Sequence, residues 1–335
     1  MEREMEWWIS MPKVELHAHL NGSIRDSTLL ELAKALGEKG VILFSDVEHV
    51  IRKNDRSLNE VFKLFDLIHI ITTDHTTVTR ITKEVVEDFA SENVIYLELR
   101  TTPKRNESIG MSKRSYMEAV VKGLRAVDAV DVNFAPHYLG EGNDIYAMET
   151  VKLALEMRDQ GVVGIDLSGN PTVGDWMTFL PALKFAREQG LSITLHCGEV
   201  PNPKEIQAML EFLPERVGHA CFFKEDHWEN AKSSKIPVEI CLTSNIRTGS
   251  ISSLDVHHFG DLYHAKHPLI LCTDDSGIFS TSLSGEYILA ASSFGLGKKE
   301  MLELGRNAIE FIFADDEIKR ELREAFDSAA GTLEL

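Results

Sequence analysis

Short apolar runs recur along this 335-residue chain, and a chemically capable side chain ends nearly every one. The runs are Val14 to Leu20, Val94 to Leu99, Val162 to Leu167, Ser192 to His196, Arg216 to His219, Val238 to Leu242 and Leu269 to Thr273. Between them, stretches such as SLNEVFKLFDLIHIIT, KRSYMEAVVKGLRAV and AMETVKLALEMRDQ carry apolar residues near i, i+3, i+4 and i+7, the spacing of amphipathic helices. Alternating β and α with buried strands predicts a parallel sheet, either open and doubly wound or closed. An open dinucleotide fold wants a glycine-rich turn after its first strand, and none is present. The reading is an α/β fold: a (β/α)8 TIM barrel, one domain over residues 1–335, with a helical insertion after strand one covering one mouth.

Strand three is the difficulty. Between the helical patterns at about 112–127 and 146–160 there is room only for AVDVNFAPHYLGEGND. A buried parallel strand should be a near-continuous apolar run, whereas this segment alternates, holds Asn133, and has Pro136, which cannot donate to a ladder. Strand three is therefore expected to be weak or missing. Either Val130 to Tyr138 pairs irregularly, or the barrel has a defect that lowers stability and activity.

Composition narrows the partners. With 35 Lys and Arg against 53 Asp and Glu, the net charge of −18 repels nucleic acid polymers and anionic membrane surfaces. Cys197, Cys221, Cys241 and Cys272 are widely spaced without a CxxC and read as reduced core residues. The opening MEREMEWWIS is acidic where a signal peptide would be basic, and no apolar run approaches transmembrane length. A soluble, untargeted cytosolic monomer with a small-molecule ligand is expected.

The strand-end residues are the chemistry. In VELHAHLNGS, His17 and His19 stand at i and i+2, on one face of a strand, as two ligands to one ion would. His196 ends ITLHCGE, His219 ends RVGHA, and Asp274 and Asp275 end LILCTDD. In a barrel these positions share the face where active sites are built, so His17, His19, His196 and Asp274 are expected to converge on one ion. Three imidazoles and a carboxylate suit Zn2+, one per chain; magnesium wants more oxygen, while copper and iron share the donor preference. Glu199 lies three residues past His196, either facing a bound substrate or capping the helix in PNPKEIQAML.

The motifs PKVELHAHLNGS, GIDLSGNP, TLHCGE, RVGHA, LTSN and LCTDDSGIF, in that order from about Trp8 to Glu286, resemble those of the adenosine deaminase family of zinc barrel hydrolases. The extended matches around DLIH, LELRTTPK and HCGEVPN resemble its adenosine deaminase-like branch, of plant type, whose members convert N6-methyl-AMP and water to IMP and methylamine. The resemblance implies zinc on His17, His19, His196 and Asp274. It implies that Glu199 protonates the purine ring nitrogen, that His219 orients or deprotonates the attacking water, and that Asp275 contacts water and purine. His19, Asn21, His69, Thr101, Thr102, Pro103, Lys104, Gly169 and Asp275 match substrate contacts. It also implies a clear aliphatic third strand ending in an acidic residue, and no such segment is found.

The chemistry agrees. Replacing an amino group on a purine carbon needs a nucleophile stronger than neutral water and a proton on the ring as aromaticity breaks, which an open zinc site and a carboxylic acid supply. A nucleoside adenosine deaminase would share every metal and catalytic residue, and a zinc amidohydrolase of another substrate class would share HxH and the late Asp. A catalytically impaired barrel acting as a binding protein would be marked by loss of Glu199 or a ligand, and neither is lost. Lys104, beside two threonines, favours a phosphate contact and hence a nucleotide, whereas surface charge is an equal reading of Arg105, Lys113 and Arg114.

Overall fold

Eight parallel strands run round the molecule in sequence order, each hydrogen-bonded to the next. They are β1 (Lys13–His19), β2 (Val94–Thr101), β3 (Asp131–Leu139), β4 (Gly164–Ser168), β5 (Ser192–Cys197), β6 (Arg216–His219), β7 (Val238–Ile240) and β8 (Leu269–Leu271). The computed structural model describes residues 2–52, 57–72, 74–127, 131–139, 144–172 and 174–333. The ring closes where Ala18 bridges Asp274: the His19 amide donates to Asp274 O at 2.9 Å, and the Asp274 amide donates to His17 O at 2.8 Å. The TIM barrel read from the alternating pattern is therefore the fold.

The third strand, expected to be weak or missing, is present. Residues 131–136 pair in register with β2, from Tyr96↔Asp131 to Thr101↔Pro136, and His137, Tyr138 and Leu139 pair with β4. Pro136 stands opposite the last residue of β2, where a missing donor interrupts the ladder least. Its alternating sequence is no obstacle either, because β2 and β4 alternate too, with Glu98, Arg100 and Asp166 buried among apolar neighbours. Val130 and residues 140–143 lie outside the described residues.

That alternation makes the lumen ionic. Glu15, His17, Glu98, Arg100, Asp166, Thr194, Arg216 and Glu239 are all buried, while the intervening Val14, Leu16, Leu97, Leu99, Ile165, Ile193, Leu195 and Val217 pack outward in the core. Arg216 donates through Nε to Glu239 Oε1 at 2.6 Å, through Nη2 to Glu98, and through Nη1 to Phe311 O at 2.7 Å, with its guanidinium 3.6 Å over the Phe313 ring. Lys13, which like Arg216 begins its strand, is also buried, and its ammonium donates to Trp8 O at 2.7 Å and Met11 O at 2.6 Å.

The insertion between β1 and β2 is helical, as expected, and includes Asp26–Glu38, Phe44–Ile51 and Leu58–Ile71 ahead of the barrel helix His75–Ser91. Leu58–Ile71 begins with the Ser57 amide donating to Glu60 Oε2 at 2.9 Å. It buries Val61, Leu64, Ile68 and Ile71 and leaves Phe62, Phe65 and His69 half-buried along the C-terminal mouth. Among the described residues no helix is long and apolar enough to cross a membrane.

Removing Arg216 would leave Glu98 and Glu239 buried without their shared counter-charge. Arg216→Ala should lower unfolding stability by ~3–5 kcal/mol in denaturant titration; a loss below about 1 kcal/mol, the range of an exposed pair, would show that the lumen network does not hold the barrel.

Candidate active site

The C-terminal mouth gathers side chains that lie far apart in sequence. His17 and His19 come from the end of β1, His196 from β5 and Asp274 from just past β8, and one ligand atom from each lies within 4.8 Å of all the others. His19 Nε2 is 3.1 Å from His196 Nε2 and 3.1 Å from Asp274 Oδ1, and His17 Nε2 is 3.2 Å from the same oxygen. The His17 Nε2 is buried and makes no hydrogen bond. Three ring nitrogens crowded on one carboxylate oxygen are a donor set that fits a zinc ion. A neighbouring trio of His219, Cys241 and Asp274 shares Asp274 with this set and offers one donor fewer.

Three of the four candidate ligands are oriented from behind. His17 Nδ1 is 2.5 Å from Glu239 Oε2, His196 Nδ1 is 3.1 Å from Asp166 Oδ1, and Ser244 Oγ donates to Asp274 Oδ2 at 2.7 Å. A carboxylate facing Nδ1 accepts a hydrogen bond from the ring N–H, which keeps the proton on Nδ1 and leaves the Nε2 lone pair facing the cluster. Although burial works against its charge, Arg100 and Arg216 hold the Glu239 carboxyl well below its usual range. Arg100 also donates to Asp166 Oδ2 at 3.1 Å, so one guanidinium serves both orienting carboxylates.

Backbone strain aims the other groups. His219, Ala220 and Asp274 have φ of +67°, +55° and +63°, a left-handed conformation costing about 1–3 kcal/mol at each non-glycine residue. Gly22 of the HLNGS motif lies so close to Asp275 that a β-carbon there would overlap the carboxylate. Glu199 Oε1 comes to 4.0 Å from His219 Nε2. Burial, then the neighbouring Asp274, pushes the Glu199 carboxyl up to about 8, so it is a neutral acid at pH 7. The same causes raise Asp275 well above its usual range.

Above these groups a cavity opens at the mouth of the barrel. His19, Asn21, His69, Thr102, Gly169, His196, Glu199, Asp274 and Asp275 line it, as the sequence pattern expects. Thr101 does not: its hydroxyl is buried against Asn21 Oδ1 at 3.0 Å and Tyr116 Oη at 2.8 Å, so it sets Asn21 rather than facing the cavity. Neither Pro103 nor Lys104 lines the cavity. The Lys104 ammonium has no hydrogen-bond partner among the described residues, and burial lowers it to about 7. Burial, with the nearby Lys104 charge, lowers His69 to about 3. Arg105 and Lys113 pair with Glu149, and Arg114 with Glu156, on the surface.

The sequence model of the adenosine deaminase family, described as adenosine deaminase, matches residues 12–329. The chain belongs to the adenosine deaminase family. Within that family it is 69% identical to the N6-mAMP deaminase of Arabidopsis thaliana, over 97% of this chain and 99% of that protein. It is 40% identical to the N6-methyl-AMP deaminase of Homo sapiens, over 96% and 94% of the two chains. Among solved structures, the ADAL–IMP complex superposes with a TM-score of 0.96 at 69% identity, covering 98% of this chain and 99% of that one.

In this adenosine deaminase family member, strand-end reading misses two layers of the site. Asp166 and Glu239, which orient the imidazoles, lie inside strands rather than at their ends; the signal for them was a charge within an otherwise apolar run, as in GIDLS and VEI. Phe62 and Phe65, which wall the cavity with Val61 and Phe279, belong to the inserted helix, whose stripe reads as core until its docking is known.

Gly218 lets β6 pass behind the cluster: a β-carbon there would sit 2.7 Å from His17 Cε1 and 3.1 Å from Nδ1. Gly218→Ala should therefore weaken divalent-metal retention and activity while leaving the circular dichroism spectrum intact. Full metal content after dialysis against a weak chelator would show that His17 need not hold its place.

Proposed function

We propose that this chain is a zinc-dependent hydrolase that converts N6-methyl-AMP and water to IMP and methylamine. The near-full-length likeness to the Arabidopsis N6-mAMP deaminase carries the reading, and the arrangement at the mouth of the barrel supplies the chemistry it needs. His17, His19, His196 and Asp274 hold the ion, which when bound supplies a water nucleophile at neutral pH. Free cysteines at all four positions go with the cytosolic location that belongs to the same proposal.

The protein's own groups do the rest. Glu199, protonated at neutral pH by its burial, gives its proton to the purine ring nitrogen as the C6–O bond forms and aromaticity is lost. Asp275 faces water and purine together, and His219 orients the attacking oxygen. The attacking water gives up both its protons as its oxygen becomes the C6 carbonyl: one reaches the departing nitrogen as the C6–N bond breaks, so that neutral methylamine leaves, and the other restores Glu199. Phe62, Phe65 and Phe279 give the base an apolar wall, while Asn21, Gly169 and Thr102 offer polar contacts. Thr101 acts through Asn21. Lys104 does not line the cavity itself but lies close enough to His69, which does, for its charge to act on that ring, and the pair is read as the phosphate site: a buried ammonium without a partner among the described residues regains its proton when an anion enters.

Turnover of N6-methyl-AMP, AMP and adenosine by protein of measured metal content tests this directly. Lys104→Ala should raise KM for N6-methyl-AMP much more than for N6-methyladenosine; equal effects on both would remove Lys104 from phosphate binding and favour a nucleoside deaminase.

Glu199→Gln keeps the shape but not the proton. It should retain zinc and substrate affinity while kcat falls by orders of magnitude, because the donor acts in the transition state; unchanged turnover would exclude Glu199 as the acid.

A further inference from the structure

His219 ends a chain of buried hydrogen bonds whose direction is forced. The Phe259 backbone N–H, which can only donate, points to His257 Nδ1 at 3.1 Å. His257 Nδ1 is therefore an acceptor, and the ring proton sits on Nε2, 3.2 Å from Asn245 Oδ1. The Asn245 amide then turns its Nδ2 to His219 Nδ1 at 3.0 Å, so this nitrogen too is an acceptor. Turning the amide over would require both nitrogens of His257 to accept, which a neutral imidazole cannot do. A doubly protonated His219 is excluded likewise, because an Nδ1–H would face the Asn245 N–H. His219, Asn245 and His257 are all buried.

We propose that Asn245 and His257 are positioning residues that hold the His219 imidazole with its proton on Nε2. His219 then presents a hydrogen-bond donor to the reacting oxygen and has no lone pair at Nε2 with which to take a proton. Its Nε2 is buried, has no hydrogen-bond partner among the described residues, and lies 4.0 Å from Oε1 of Glu199, which lines the cavity. The backbone supports the same orientation: His219 and Ala220 both have positive φ, and His258 Nε2 lies 2.8 Å from the His219 carbonyl oxygen. A preorganised donor aimed at a developing charge is among the stronger contributions a side chain makes to catalysis. The inference deepens the deaminase reading and rests on it only for which oxygen His219 meets.

Long-range proton–nitrogen correlation spectra of the zinc-loaded full chain carrying 15N-histidine decide the tautomer, with His219 assigned by the resonance lost in His219→Asn. A proton on Nε2 at neutral pH is expected, and a proton on Nδ1, or on both nitrogens, overturns the proposal whatever the substrate is. Asn245→Leu should release the ring to a mixture of tautomers and lower kcat for N6-methyl-AMP by about tenfold or more, with KM and zinc content unchanged. An unmixed Nε2–H tautomer, or an unchanged kcat, in that variant refutes the positioning role. His257→Ala breaks the chain one link further from the site and should give the same spectral and kinetic change, so the question is still decided if Asn245→Leu does not fold.

Discussion

The Glu239 carboxylate is the joint on which the structure turns. Standing on β7, it meets His17 of β1, Arg100 of β2, Thr194 of β5 and Arg216 of β6. One buried anion thereby ties five of the eight strands together and at the same time sets the proton position of a ligand histidine. Its charge survives burial because two guanidiniums flank it. Stability and chemistry are thus not separable here: the interaction that keeps the lumen closed also points the His17 lone pair at the mouth.

This explains why the barrel departs from an aliphatic interior. Layers of branched side chains would fill the lumen as well, but they could not hold imidazoles by their outer nitrogens. Glu98, Arg216, Glu239, Arg100 and Asp166 form a continuous run of alternating charge from the lower lumen to the ligand histidines. Each carboxylate in it has an arginine, and each arginine has more than one acceptor.

Much of this was legible in the chain. Short apolar runs between helical patterns located seven strands, and the ends of those strands carried the four residues that the fold gathers into a candidate metal site, because in a parallel barrel all C-terminal ends share one face. The third strand was not legible for a physical reason: a rule for strands apolar on both faces misjudges a barrel whose inner face is charged, and a proline at the limit of a neighbour's ladder does little harm. The orienting layer was hidden in the same way. Asp166 and Glu239 look anomalous within their strands, and their partners, Arg100 on β2 and His196 on β5, come near only when the ring closes. The role of Asn245 needed more still, since it follows from a backbone amide on a different segment.

The inserted helix Leu58–Ile71 has an evolutionary meaning. It supplies Val61, Phe62, Phe65 and His69 to the cavity, yet none of the four ligands and none of the carboxylates behind them. Much of the apolar cavity wall is therefore encoded apart from the candidate ligands, although Asn21, Thr102 and Gly169 at the strand ends line the same cavity. Substitutions along the helix's cavity-facing stripe can reshape that wall while leaving the ionic lumen, where removing a buried charge is costly, untouched. A lineage built on this plan can diversify its diet without relearning its chemistry.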